Sequence, residues 1–64
     1  MRIEYEAQDD ILRIVFSEAQ LIKDISYNWN INVGFALTGI GEITILDAKA
    51  NGYWPLENPE VLLT

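Results

Sequence analysis

Leu21-Ile22-Lys23-Asp24-Ile25-Ser26-Tyr27-Asn28-Trp29-Asn30-Ile31-Asn32-Val33-Gly34-Phe35-Ala36-Leu37 is the stretch that decides the fold. Its odd positions carry Leu21, Lys23, Ile25, Tyr27, Trp29, Ile31, Val33, Phe35 and Leu37; from Asp24 onward the even ones carry Asp24, Ser26, Asn28, Asn30, Asn32, Gly34 and Ala36. A period of two belongs to β-strand with one apolar face and one wet face. The stretch is too long for one ordinary strand, because at about 3.3 Å per residue it would span about 55 Å. A chain of this length has a radius of gyration near 11 Å by the usual scaling. The stretch must therefore break, bend or reach beyond its own subunit. The break is expected at Asn28-Trp29-Asn30, where Asn tolerates left-handed backbone. Two strands sharing one core, one bulged strand, or an extended strand pairing with a second chain would each keep the phase.

Working outward, Ile3 and Tyr5 alternate with Arg2, Glu4 and Glu6, which reads as a first strand with a charged outer face. Ala7-Gln8-Asp9-Asp10 is a turn. Ile11 to Phe16 is a second strand in which Arg13 is the one polar residue, so it is expected inside the sheet with both sides partly covered. These two strands form a hairpin, and Ser17 to Gln20 is a connector. Thr38-Gly39-Ile40-Gly41 is read as the next turn and Glu42 to Asp47 as the last strand, pairing with Ile31 to Leu37. Asn51-Gly52 is a turn pair, and Tyr53-Trp54-Pro55-Leu56 is an aromatic, proline-bearing tail. Asn58-Pro59-Glu60 has the residues of a helix start, so Val61 to Thr64 is expected as a short C-terminal helical turn. The expected fold is mainly β: an antiparallel meander of four to five strands with that helical turn, in one domain over residues 1–64.

Composition bounds the chemistry. The 64 residues contain no Cys and no His, which removes disulfide staples, thiolate sites, the usual zinc sites and His-based catalysis. A sheet this small then needs a very good core or an oligomer. Half the residues are hydrophobic, and part of that apolar area is expected to be buried against another subunit. Ten acids against four bases give a net charge of −6. Such a surface repels nucleic acid and anionic membranes, and attracts a basic protein. No signal peptide or membrane-length apolar run is read in the sequence, so a cytoplasmic protein is the expectation.

The opening Met1-Arg2-Ile3-Glu4-Tyr5 with Asp9-Asp10-Ile11-Leu12-Arg13-Ile14, and the closing Ile43-Thr44-Ile45-Leu46-Asp47-Ala48, resemble the small prokaryotic domain of unknown function catalogued as number 2283. Members typically open with Tyr-Asp, Ala-Asp and a Leu-Tyr-Ile-like strand, and close with Gly-Ile-Glu-Ile-Leu-Asp-Ala-Ser. The resemblance covers roughly residues 1 to 50. Here Tyr-Asp is Tyr5-Glu6, and the carboxylate within the last strand is replaced by Thr44. The resemblance implies a small antiparallel sheet with no established activity, and an association with antitoxin-like partners of small toxin-like ribonucleases.

Candidate sites are few. Glu4, Glu6, Asp9 and Asp10 crowd the first hairpin, but a solvated strand face and a turn account for them, and their spacing matches no calcium loop. Asp47 is read as an acceptor of backbone hydrogen bonds at a strand end. The glycines Gly39 and Gly41 belong to no phosphate loop. No catalytic, cofactor-binding or metal residue is assigned. Interface candidates are the aromatic and apolar Tyr27, Trp29, Tyr53, Trp54, Leu56, Leu62 and Leu63. The functional expectation is a non-enzymatic protein-interaction module, antitoxin-like toward a basic protein, forming a homodimer or higher homo-oligomer. A self-assembling structural homo-oligomer is the alternative, and a carboxylate-dependent metal or hydrolytic site is the third reading.

Overall fold

The computed structural model describes residues 1–56, so the helical turn expected after Asn58 lies outside the described residues. Five strands follow in chain order: β1 (Arg2–Glu6), β2 (Ile11–Val15), β3 (Lys23–Tyr27), β4 (Ile31–Ala36) and β5 (Gly39–Leu46). All pair antiparallel in one open sheet of order β1-β2-β5-β4-β3. The long alternating stretch is thus two strands. They turn at residues 28–30, with Asn28 at a φ of 65° in the left-handed region that Asn accepts more readily than most residues.

An N-terminal hairpin and a C-terminal three-stranded meander are joined where β2 meets β5. Leu12 opposes Ile45 and Ile14 opposes Ile43, so the junction is made by cross-strand aliphatic pairs. The last strand in sequence thereby becomes the central strand in space.

Cross-strand partners share a face, so the register sorts the side chains. One face carries the rows Tyr5–Leu12–Ile45–Ile31 and Ile3–Ile14–Ile43–Val33–Ile25. The other carries Glu4–Arg13–Thr44–Asn32–Ser26 and Arg2–Val15–Glu42–Gly34–Asp24. Leu12, Ile45 and Ala48 are the buried centre of the apolar side, with Tyr5, Ile14, Ile31, Ile43 and Trp54 packed on them.

The turn between β4 and β5 is tighter than the glycines suggest. It is Leu37-Thr38 alone, and both glycines belong to β5. Gly39 has a φ of 134°, a backbone region that side-chain-bearing residues rarely enter. Gly41 falls at a register shift, where Gly34 opposes Glu42 but Phe35 opposes Ile40. The connector after β2 crosses the polar face at this point. Phe16 and Ser17 donate their N–H groups to the Gly41 carbonyl at 2.8 and 3.2 Å, and Ile22 donates to Phe35 O at 2.7 Å. Leu21 lies on Gly34 and Gly41 so closely that a methyl group on either would meet its Cδ atoms at 2.9 and 2.6 Å.

A radius of gyration of 12.1 Å exceeds the roughly 11 Å of a compact chain of this length, as a single-layer sheet requires.

Candidate functional site

After β5 the chain turns through Asp47, at a φ of 52°, and folds back over the apolar face. Ala48 is completely buried there, and Trp54 stacks on Tyr5 with ring centroids 4.8 Å apart and planes 16° from parallel. This ledge is held by Asp10. Its carboxylate accepts Lys49 N–H at 2.7 Å and Ala50 N–H at 3.1 Å, and the Tyr5 hydroxyl donates to it at 2.7 Å. The Asp10 carbonyl accepts Ala48 N–H at 3.0 Å. Asp10 itself stands at a φ of 55°, which Asp tolerates in a tight turn. The Lys49 amide first, then the Tyr5 hydroxyl, holds the Asp10 carboxyl below its ordinary range. The same bond to the Asp10 carboxylate raises the Tyr5 hydroxyl.

Asp47 contributes its backbone instead. Its carbonyl accepts both the N–H and the side-chain amide of Asn51, at 3.1 and 2.9 Å, and among the described residues no hydrogen bond reaches its carboxylate. The backbone-accepting carboxylate assigned to Asp47 in the sequence is therefore that of Asp10.

Among the described residues the ledge covers only the Tyr5–Leu12–Ile45 end of the apolar face. Beyond it Ile25 and Ile40 are about half exposed and Tyr27 is 69% exposed. The one charged strand residue on this face is Lys23, opposite Phe35, whose ring lies 5.6 Å from the ammonium. No carboxylate stands on the strand positions of this face.

The polar face has the opposite chemistry. Arg2 pairs with Glu4 at 2.7 Å and Glu18 at 2.9 Å, and Arg13 pairs with Glu4 at 3.1 Å. Lost hydration pulls Glu4 upward, but Arg2 and Arg13 outweigh it and hold the carboxyl below its usual range. Both arginines are engaged in this way. Glu6, Asp24 and Glu42 share the face without a basic partner among the described residues. Glu6 is pushed up by Asp9, which hydrogen-bonds to it and repels its charge. Among the described residues no group of three or more carboxylates could hold a metal ion. A recess of about 410 Å³ lies beside Glu4, Glu6 and Arg13.

The interface candidates named from sequence fall in different places. Tyr27 is on the apolar face. Trp29 sits in the β3–β4 turn and lines a groove with Ser26, Asn32, Thr44 and Leu46, on the polar face. The turn takes Trp29 out of the apolar alternation that its odd position implies. Trp54 lies inside the ledge, while Tyr53 and Leu56 are on its outer side, 40% and 36% exposed. Leu62 and Leu63 lie outside the described residues. Ile25 and Ile40, the apolar-face residues nearest Tyr27 and Phe35 in the register, were not singled out from sequence, although the alternation marks Ile25 as apolar-facing.

The arrangement defines a class: an open, one-layer antiparallel sheet with one apolar and one acid-rich face, and no described helix long and apolar enough to cross a membrane. The chain belongs to the protein family of unknown function DUF2283, whose family model matches residues 2–49. That span ends just past Ala48, so it takes in the sheet, Asp10 and the Lys49 amide that Asp10 accepts. No curated protein and no solved structure matches the chain.

Proposed function

We propose that the chain is a non-enzymatic protein-interaction module that works through the two faces of its sheet. The observation that carries the reading is the apolar face, which among the described residues has no second layer. A sheet with one apolar face ordinarily buries it against another element. Here the ledge covers one end only, and large aliphatic and aromatic side chains remain in water. Contiguous exposed apolar surface on a small acidic protein marks a contact site. The residues favour contact over catalysis: the whole chain has no His or Cys, and among the described residues the carboxylates hold the ledge, form ion pairs or are spread over strands and turns.

The polar face supports a basic protein as the partner, in the manner of an antitoxin. Both arginines there are neutralised locally, which leaves Glu6, Asp24 and Glu42 to set its sign. Calorimetric titration with small basic proteins of the toxin-like ribonuclease class tests this. Binding at micromolar affinity or tighter is expected, weakening as salt rises from about 0.05 to 0.3 M, and weaker for Glu42→Lys at any salt. If no basic partner binds and the protein is also a monomer at every concentration, the interaction reading fails.

A further inference from the structure

We infer that the open part of the apolar face docks a second copy of this chain, in a two-fold face-to-face dimer built on β3, β4 and the start of β5. The inference rests on the interaction reading above and names the occupant of one of its two faces.

Charge selects the occupant. The chain carries −6 overall, so two copies repel unless they meet through a surface without acids. The register provides one such surface. Every carboxylate on a strand lies on the polar face, and the charged strand residue of the apolar face is Lys23. A basic partner on this face would meet a lysine and no carboxylate. A second copy meets Ile25, Tyr27, Val33, Phe35 and Ile40 with like residues, which is the self-complementarity a two-fold interface needs. Face-to-face packing also turns both acid-rich faces outward, on opposite sides of the assembly.

Shape and size agree. The molecule measures 31 × 26 × 19 Å, and its two longer dimensions bound a face of roughly 800 Å²; the part the ledge leaves free is smaller than each partner's share of a standard interface, which fits a dimer of micromolar strength. The ledge stands on the Tyr5–Leu12–Ile45 end, so the partner is confined to the remainder. Within that remainder Ile25, Tyr27 and Ile40 are exposed, Val33 and Phe35 are partly buried, and β3 is exposed along its whole length. Lys23, its ammonium over the Phe35 ring, opens the edge strand β3 and so sits at the rim, where its ammonium stays in water.

Sedimentation equilibrium of the 64-residue chain from 1 to 100 µM (about a 100-fold range, wide enough to bracket a micromolar constant) gives the first readout. The expected mass is twice 7.3 kDa at the upper end. Ile25→Glu is expected to raise the dimer dissociation constant at least tenfold, and Trp29→Ser, on the opposite face, is expected to leave it unchanged. Ile25 is half exposed on an edge strand, so the variant should fold, which far-ultraviolet circular dichroism checks. Should it unfold, dilution of the wild-type chain followed by amide NMR decides the matter. Shifts confined to residues 25, 27, 33, 35 and 40 support the apolar face. Shifts confined to outward-pointing amides of one edge strand mean edge pairing and overturn the inference. A dimer that Trp29→Ser dissociates and Ile25→Glu does not also overturns it. A wild-type monomer that still binds a basic protein overturns the dimer and leaves the interaction reading standing; a monomer that binds nothing overturns both.

Discussion

Asp10 does more than any other single residue to give this sheet its one covered end. One carboxylate accepts two backbone N–H groups 39 and 40 positions away and a tyrosine hydroxyl from its own hairpin. In the sequence it reads as the last residue of an Asp-rich turn, which it is. Its second role was not legible, because its partners are backbone amides whose position depends on where β5 ends in space. Asp10→Asn keeps the shape but puts an NH₂ group where one oxygen accepts an N–H, leaving two donors face to face. The variant is expected to lower the thermal midpoint at pH 7 by roughly 5 °C or more. The sign with pH follows from linkage. The folded carboxyl lies below its ordinary value of 3.8, so its contribution is present above that value and is lost as pH falls through the folded one. Wild type and Asp10→Asn should therefore converge in stability once pH has fallen below the lowered value of the folded carboxyl. A gap that persists undiminished there would show that the carboxylate charge is not what holds the ledge.

Among the elements, β5 carries the most constraints, and its glycines show how a local signal can be right in kind and misplaced by two residues. Glycines after Thr38 do mark a change of chain direction, but a two-residue turn at Leu37-Thr38 suffices. Gly39 serves its own positive φ, and Gly41 leaves room for a connector that crosses the sheet with Leu21 pressed on it. That crossing is a consequence of strand order. To carry the chain from β2 to the far edge strand β3, the connector must pass over β5 and β4. Gly41→Ala should destabilise by about 1 kcal/mol, at the low end for overpacking, since what it meets is the flexible end of one leucine. In a Leu21→Ala background the same change should be neutral or stabilising, because alanine suits a strand better than glycine does. Urea denaturation of the four variants gives the coupling. Additive effects would mean that Leu21 is not the close contact.

At the scale of the whole molecule, the uneven charge is a cost that the fold distributes without cancelling. Three exposed ion pairs involve both arginines of the described sheet, and exposed pairs contribute little. Repulsion among the remaining acids should outweigh them. Raising ionic strength from about 0.01 to 0.15 M shortens the screening length from about 30 to about 8 Å. The thermal midpoint is accordingly expected to rise by a few degrees; a fall would mean that the ion pairs, not the acid surplus, dominate. Screening should favour the face-to-face dimer in the same direction.

Strand identity, the break at Asn28-Trp29-Asn30 and the separation of apolar from polar side chains were determined by the sequence alone. Each follows from nearest-neighbour geometry: a two-residue period, and residue types that accept left-handed backbone. Only the tertiary structure decided the strand order that makes the last strand central, the passage of the connector across Gly34 and Gly41, the capture of Lys49 and Ala50 by Asp10, and the placement of Trp29 and Tyr27 on opposite faces. These depend on contacts between positions far apart in the chain. A pairing such as β2 with β5 leaves no local mark, because the aliphatic residues that join those strands would suit a neighbour in any other order as well.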